Sequence, residues 1–159
     1  MGAIAVEIED EAWSSALPDA AMATIRAATA ALAASAGRSE RAGELEVTVL
    51  LTDDVTVRDL NARFRGKDAP TNVLSFPAAD SARPYLGDVA LAFGVCVVEA
   101  KAQGKRLVDH LSHLTVHGVL HLLGYDHEAD DEAEVMEDME RAILSRIGIR
   151  DPYAWDADA

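Results

Sequence analysis

Two segments of the chain alternate hydrophobic with polar or small residues, which is the pattern of a half-buried β-strand. These segments are 4–8 and 45–51. Two short apolar runs beside turn residues, 73–76 and 89–93, indicate further strands. The pattern therefore predicts a sheet of about four strands.

Other segments repeat their apolar residues at the 3.6-residue period of an α-helix, and capping or breaking residues lie at their ends. We predict about five such helices. They cover an alanine-rich segment between Pro18 and Gly37, a segment from a cap at Thr52 or Asp53 to about Phe64, and three late stretches at about 94–102, 107–123 and 131–147. The strands thus come early in the chain and the helices accumulate late.

This order of elements favours an α+β or mixed α/β sandwich over a doubly wound parallel fold, in which strands and helices would alternate throughout. The 159 residues contain no internal repeat and no Pro/Gly/Ser-rich linker. A chain of this length suits one hydrophobic core. We therefore expect residues 1–159 to form a single domain with a mixed sheet.

Charge and cysteine content narrow the possible functions. Acidic side chains outnumber basic ones by 28 to 14, and the formal net charge of −14 argues against a non-specific nucleic-acid coat. A local basic groove remains possible because salt screens charges over about 8 Å. Cys96 is the single cysteine, which excludes an intrachain disulfide or a thiolate zinc cage. The acidic amino terminus predicts neither export nor membrane insertion, so we expect a cytoplasmic protein.

The most specific stretch is 117–127, which has the spacing H-x-x-x-H-x-x-G-x-x-H. Residues four apart on a helix lie on one face with Cβ atoms about 6 Å apart, so His117 and His121 can direct ring nitrogens at one ion. Gly124 can then end the helix in a left-handed conformation, and His127 can return as a third ligand. Three imidazoles leave one tetrahedral position open, as in catalytic zinc sites. We predict one zinc ion per chain at this helix end.

Several residues near this motif have more than one possible role. His113 lies on nearly the same helical face and could replace His127, but without a chain reversal it is expected to pack beside the site or line it. Asp126 could act as a base or fix a histidine tautomer, and the second role is favoured. Metzincin proteases share the spacing and place a general-base glutamate directly after the first histidine. Gly118 occupies that position here, which disfavours peptide hydrolysis.

With these motifs the chain resembles the YbeY family of bacterial endoribonucleases, also called rRNA maturation factors. Segment 60–77, LNARFRGKDAPTNVLSFP, is similar to the family's segment before its third strand, and 86–89 is similar to the beginning of the next strand. Stretch 117–127 matches the family's zinc motif. The resemblance implies a small α/β sandwich, zinc on the three histidines, and cleavage of single-stranded RNA in 16S rRNA 3′-end maturation and ribosome quality control.

The resemblance also assigns Arg65 as the functional arginine of a groove beside the metal. A guanidinium keeps its charge and can contact two phosphate oxygens, which suits it to stabilise a transition state. Asp88 joins Asp126 and His113 as residues expected to line the substrate or support the metal ligands. The implied partners are single-stranded rRNA, the small ribosomal subunit and its assembly factors, with no membrane. Two alternatives remain: a zinc metalloprotease, and a non-catalytic ribosome-assembly factor in which zinc only joins a helix to a loop.

Overall fold

A computed structural model describes residues 3–35, 44–126 and 129–154. Its strands and helices follow the predicted order closely. In chain order they are β1 (Ala3–Ile8), α1 (Ala12–Ala16), α2 (Ala20–Ser35), β2 (Glu46–Thr52), α3 (Asp54–Arg65), β3 (Val73–Pro77), β4 (Tyr85–Ala92), α4 (Phe93–Ala102), α5 (Leu107–Leu122) and α6 (Asp130–Arg146), with a short 3-10 turn at Asp80–Ala82 before β4.

The four strands form one mixed sheet in the order β1-β2-β4-β3. β1 pairs with β2 and β2 with β4 in parallel, whereas β3 pairs with β4 antiparallel. Parallel neighbours need a long crossover connection, which α1 and α2 provide between β1 and β2. The predicted four-stranded mixed sheet and α+β architecture are therefore confirmed.

Helices cover both faces of the sheet, so side chains that alternate along a strand enter two different clusters. Val89 and Leu91 of β4 pack in the main core with α2 and α5. Ala90, between them in the sequence, packs with Val57 of α3 and Leu74 of β3 in a smaller cluster. The sheet is thus the central layer of a sandwich, and α3 and α5 lie on opposite sides of it.

Six α-helices are present in the described ranges, one more than the expected number of about five. The additional one is α1, which has only five residues and is too short to show a helical period. Its Trp13 is nevertheless fully buried, and the indole Nε1–H donates to the Thr52 carbonyl at 3.0 Å. That long-range contact stabilises the short helix, together with a local hydrogen bond from the Ala12 amide to Asp10 Oδ1 at 2.9 Å.

The close approach of α5 to the sheet depends on Gly118. A Cβ built at this glycine would lie 2.6 Å from Val89 Cγ1, closer than carbon atoms can approach without movement. The Ser75 hydroxyl also donates to the Gly118 carbonyl at 2.9 Å, which joins β3 to the same helical turn. A side chain at position 118 would therefore point into the sheet and not into solvent.

We expect Gly118→Ala to destabilise the fold although alanine favours helices. Overpacking against a rigid valine costs about 1–3 kcal/mol, which exceeds the gain of about 1 kcal/mol that alanine has over glycine in a helix. The measurement is a urea unfolding curve of the metal-free protein. Because Val89→Ala removes the clash, Gly118→Ala should cost less in that background, and equal costs in both backgrounds would contradict this packing.

Candidate functional site

His117 and His121 lie one turn apart on α5. Both side chains are half-buried, whereas most of their neighbours on this helix are buried. Their Nε2 atoms are 3.1 Å apart. Two nitrogens bound at about 2.1 Å to one tetrahedral ion would be separated by about 3.4 Å. The two imidazoles therefore fit a shared divalent metal ion, as the spacing of the sequence predicts.

Helix α5 ends where the sequence predicts. Leu123 is its C-cap, and Gly124 follows with a φ of +101°, a conformation that residues with a side chain rarely adopt. The chain then turns and Asp126 lines the same cavity as the two histidines. The predicted third ligand, His127, lies outside the described residues, and those residues by themselves contain no complete group of three metal ligands. The ligand set of His117, His121 and His127 stays a prediction.

Arg65 belongs to α3, on the opposite side of the sheet from the histidines, but it lines the same cavity. Asp53 begins α3 by accepting a hydrogen bond from the Thr56 amide at 2.7 Å, and Gly66 ends the helix with a φ of +70°. The last helical residue is Arg65, and its Nη2 donates to the Ser75 carbonyl at 3.0 Å. This contact lays the guanidinium across β3, beside the cavity of the histidines.

One cavity of about 590 Å³ contains these side chains together. The side chains that can carry charge or bind metal on its wall are Arg65, Lys67, His117, His121 and Asp126. Its remaining lining residues are Asn61, Thr71, Asn72, Val73, Leu74, Ser75 and Pro77. Two cations thus line the same cavity as the paired imidazoles, in a protein whose net charge is strongly negative. The local charge of the cleft suits an anionic substrate better than the overall charge does.

A second cavity of about 680 Å³ adjoins the first, because both are lined by Arg65, Ser75 and Pro77. Its wall carries two aromatic rings, Phe64 and Phe76, in an edge-to-face arrangement with centroids 5.6 Å apart. Phe64 is 68% exposed, so its ring is accessible from solvent. An aromatic surface therefore continues the cleft past Arg65.

Behind His117 lies Glu140 of α6, a carboxylate with no exposed surface. Its Oε2 is 2.9 Å from His117 Nδ1, and its Oε1 is 2.7 Å from His113 Nε2 and 2.5 Å from the Tyr153 hydroxyl. Burial acts to raise the pKa of Glu140, but the hydrogen bonds from His113 and His117 outweigh it and hold this pKa at about 2. Burial also raises the pKa of Tyr153, whose phenol therefore remains a donor.

The other predicted site residues lie in different places around the cleft. His113 is buried and contacts Glu140, so it lies behind the histidine pair and not on the cleft wall. Asp88 lines the second cavity and accepts a hydrogen bond from the Tyr85 hydroxyl. Asp68, an acidic residue close to Arg65 in the sequence, pairs with Arg58 at 2.8 Å. The roles of these residues stay predictions.

Sequence reasoning missed Glu140 and Tyr153. The residues around Glu140 are rich in acids, a composition that is usual for the exposed face of an amphipathic helix such as α6. One signal was present, since Glu140 falls on the same stripe as the buried Met136 and Ile143, four residues before it and three after. An acidic residue on the apolar stripe of a helix indicates a buried partner. Nothing in the sequence identified that partner as His117.

The fold and the site together define a class of protein: a small α+β protein in which paired histidines of one helix and an arginine of another line the same cleft. The family model described as Endoribonuclease YbeY matches residues 7–148. The chain therefore belongs to the YbeY family of endoribonucleases, and it is an enzyme of the hydrolase class.

Similar proteins cover nearly the whole chain. An Endoribonuclease YbeY from Paramagnetospirillum magneticum is 51% identical over 158 residues, which is 94% of each protein. Another from Azorhizobium caulinodans is 52% identical over 159 residues, which is 98% of each. The solution structure of TM1509 from Thermotoga maritima has a TM-score of 0.55 at 22% identity over 91% of both chains, which shows a shared fold.

None of the helices in the described ranges is long and apolar enough to cross a bilayer.

Proposed function

We propose that this chain is a zinc-dependent endoribonuclease that cleaves single-stranded rRNA, with zinc held by His117, His121 and His127. The observation that carries the proposal is the shared cavity, in which the two imidazole nitrogens 3.1 Å apart lie within the same walls as Arg65. Zinc bound by imidazoles supplies Lewis acidity and water activation near neutral pH. Family membership supports the choice of RNA as the substrate.

Arg65 is the residue that we assign to the scissile phosphate. Its guanidinium is held against the Ser75 carbonyl by one of its donors, so the remaining donors are oriented before the substrate arrives. Preorganised donors of this kind stabilise the charge that develops on phosphate oxygens without a reorganisation cost. Lys67, two residues later on the same wall, adds positive charge that attracts the backbone of the RNA.

The exposed aromatic ring beside Arg65 supports a preference for single strands. The face of a base is accessible to a protein ring only where the base is unstacked, as in loops, bulges and strand ends. Phe64 and Phe76 lie beyond Arg65 along the continuous cleft, where a nucleotide next to the scissile phosphate would be placed. A paired strand could not present its bases to this surface.

The biological role that we propose is maturation of the 16S rRNA 3′ end and ribosome quality control in the cytoplasm. The resemblance of segments 60–77 and 117–127 to the family supports this role, with the small ribosomal subunit and its assembly factors as partners. The net charge of −14 is consistent with delivery of the RNA by such partners, because the protein as a whole does not attract polyanions.

The metalloprotease alternative is further weakened by the packing of Gly118. A metzincin-type glutamate at this position would have to project toward the substrate, whereas a side chain here would meet Val89 and Ser75 of the sheet. The non-catalytic alternative is disfavoured by membership of an endoribonuclease family. The nuclease is therefore the function that we retain.

Paired digests test the proposal directly. The purified protein is incubated with labelled single-stranded RNA, with the same sequence as a duplex, and with casein, each with and without chelator, and its zinc content is measured. We expect chelator-sensitive cleavage of the single strand alone and about one zinc per chain. Cleavage that persists in the metal-free protein would refute zinc dependence, and robust casein cleavage would restore the protease alternative.

We expect Phe64→Ala to weaken binding of short single-stranded RNA by about 5- to 150-fold, since stacking of a base on an aromatic ring contributes about 1–3 kcal/mol. The measurement is the dissociation constant of a fluorescent oligonucleotide at fixed salt. Phe64→Leu should recover little of the loss because it restores apolar area without an aromatic face.

Val55→Ala is the matched control for this prediction. Val55 is on the same helix and is 76% exposed, but it lies at the opposite end of α3 from Arg65. Its removal should leave the dissociation constant unchanged. Equal affinities of the parent and Phe64→Ala would refute the stacking surface.

A further inference from the structure

The buried carboxylate of Glu140 needs an explanation. Taking a carboxylate out of water is strongly unfavourable unless hydrogen bonds and positive charge compensate it. The hydrogen bonds that the structure describes for Glu140 come from two imidazoles and a phenol, and none of its ion pairs involves lysine or arginine. An apolar side chain would join α5 to α6 at lower cost, so contact between the helices does not account for an acid here.

The donor and acceptor chemistry of this cluster restricts the tautomer of His117. An ionised carboxylate only accepts hydrogen bonds. Glu140 Oε2 lies 2.9 Å from His117 Nδ1, and a hydrogen bond from the ring to an ionised carboxylate at this distance requires the hydrogen on Nδ1. In a neutral imidazole the other nitrogen, Nε2, then has a lone pair, and this is the atom that faces His121.

The other oxygen of the Glu140 carboxylate, Oε1, has hydrogen-bond partners of its own. The Tyr153 hydroxyl, on the turn after α6, and His113 Nε2 both contact Oε1. Three side chains therefore hold the two oxygens of the Glu140 carboxylate. His117 contacts Oε2, and His113 and Tyr153 both contact Oε1. Such an arrangement holds the plane of the carboxylate and, through it, the orientation of the His117 ring.

We propose that Glu140 is a positioning residue for the metal centre: it holds His117 as the Nδ1–H tautomer and directs the Nε2 lone pair at the shared ion, with His113 and Tyr153 orienting its carboxylate. This inference rests on the zinc site of the proposed function. Carboxylates that accept from the distal nitrogen of a histidine ligand raise its basicity, and their removal costs about 10- to 100-fold in metal affinity.

Two measurements separate positioning from a merely structural role. The first is the tautomer of His117 in the metal-free protein, from two-bond 1H–15N correlation spectra. The second is zinc affinity, from competition with a chromophoric chelator at fixed pH. Glu140→Met removes the acceptor while nearly keeping the volume, and Glu134→Met, on an exposed position of the same helix, is the matched control.

We expect the parent and Glu134→Met to show the Nδ1–H tautomer and equal zinc affinity. Glu140→Met should gain the Nε2–H form and bind zinc about 10- to 100-fold more weakly. Glu140→Gln, which keeps an acceptor oxygen but not the charge, should retain the tautomer and lose part of the affinity. It also serves as the test if Glu140→Met fails to fold.

Several outcomes would overturn the inference. A zinc-binding parent whose Glu140 variants show the same His117 tautomer and the same affinity would leave the zinc site in place and refute positioning by Glu140. If the Glu140 variants melt at a lower temperature but keep the His117 tautomer and the zinc affinity of the parent, Glu140 contributes to packing alone. If the parent itself binds no zinc, the proposed function fails and the positioning role fails with it.

Discussion

His121→Ala is expected to lose nearly all of the zinc that the parent carries, and RNA cleavage is expected to fall to the level of the chelator-treated parent. With the proposed ligand set of three histidines, this variant would keep two imidazoles, and water would fill the remaining coordination positions. The measurements are the metal content of protein purified without a metal-binding tag and the cleavage rate of a labelled single-stranded RNA. Full zinc occupancy in this variant would refute the assignment.

Another histidine of the same helix provides the control. His110 is buried on α5, and its Nε2 contacts Glu99 Oε1 at 2.9 Å, away from the cleft. His110→Gln keeps a donor for that contact and should retain about one zinc per chain. His127→Ala should behave like His121→Ala if the third ligand is the predicted one, and zinc retention there would point to a different third group.

Arg65→Ala is expected to lower the single-turnover cleavage rate by about a hundredfold to a thousandfold, the usual cost of losing one preorganised charge donor. Zinc content should not change. The melting temperature should fall only slightly, because the one described hydrogen bond of Arg65, to the Ser75 carbonyl, contributes about 1 kcal/mol. Arg65→Lys should recover only part of the rate, since an ammonium cannot contact two phosphate oxygens in the manner of a guanidinium.

Arg63→Ala is the matched control, because Arg63 is on the same turn of α3 and forms an exposed ion pair with Asp59 at 3.2 Å. It should cleave RNA at the rate of the parent. Equal loss of rate in both variants would indicate a general electrostatic effect of the helix, and unchanged rates in both would make Arg65 an ordinary surface cation. Loss of fold together with activity in Arg65→Ala would contradict the small stability cost expected here.

The local features of the chain were predictable because they depend on residues close in sequence. The period of apolar residues predicted the strands and the longer helices, and Asp53 and Gly66 marked the two ends of α3. The paired approach of His117 and His121 follows from the pitch of one helix, since residues four apart share a face whatever surrounds them. Gly124 likewise ends α5 through its own conformational freedom.

The order of the strands and the set of residues that line the cleft could not be predicted, because both depend on contacts between residues that are distant in the sequence. Arg65 joins the histidines only because β3 lies between α3 and α5 and offers the Ser75 carbonyl to one helix and the Ser75 hydroxyl to the other. No spacing in the sequence encodes that arrangement. The family resemblance alone assigned Arg65 to the groove, and the residue by itself resembles any cation at a helix end.

The sequence by itself thus determined the elements of this protein and the pair of histidines, because hydrogen bonding and side-chain spacing within one helix or strand are set by neighbours along the chain. The tertiary structure decided which side chains surround that pair. Glu140 contacts His117 across 23 residues of sequence because α6 packs on α5. Gly118 must lack a side chain because Val89 of the sheet occupies the space. Both depend on packing between elements, which the period of hydrophobic residues leaves undetermined.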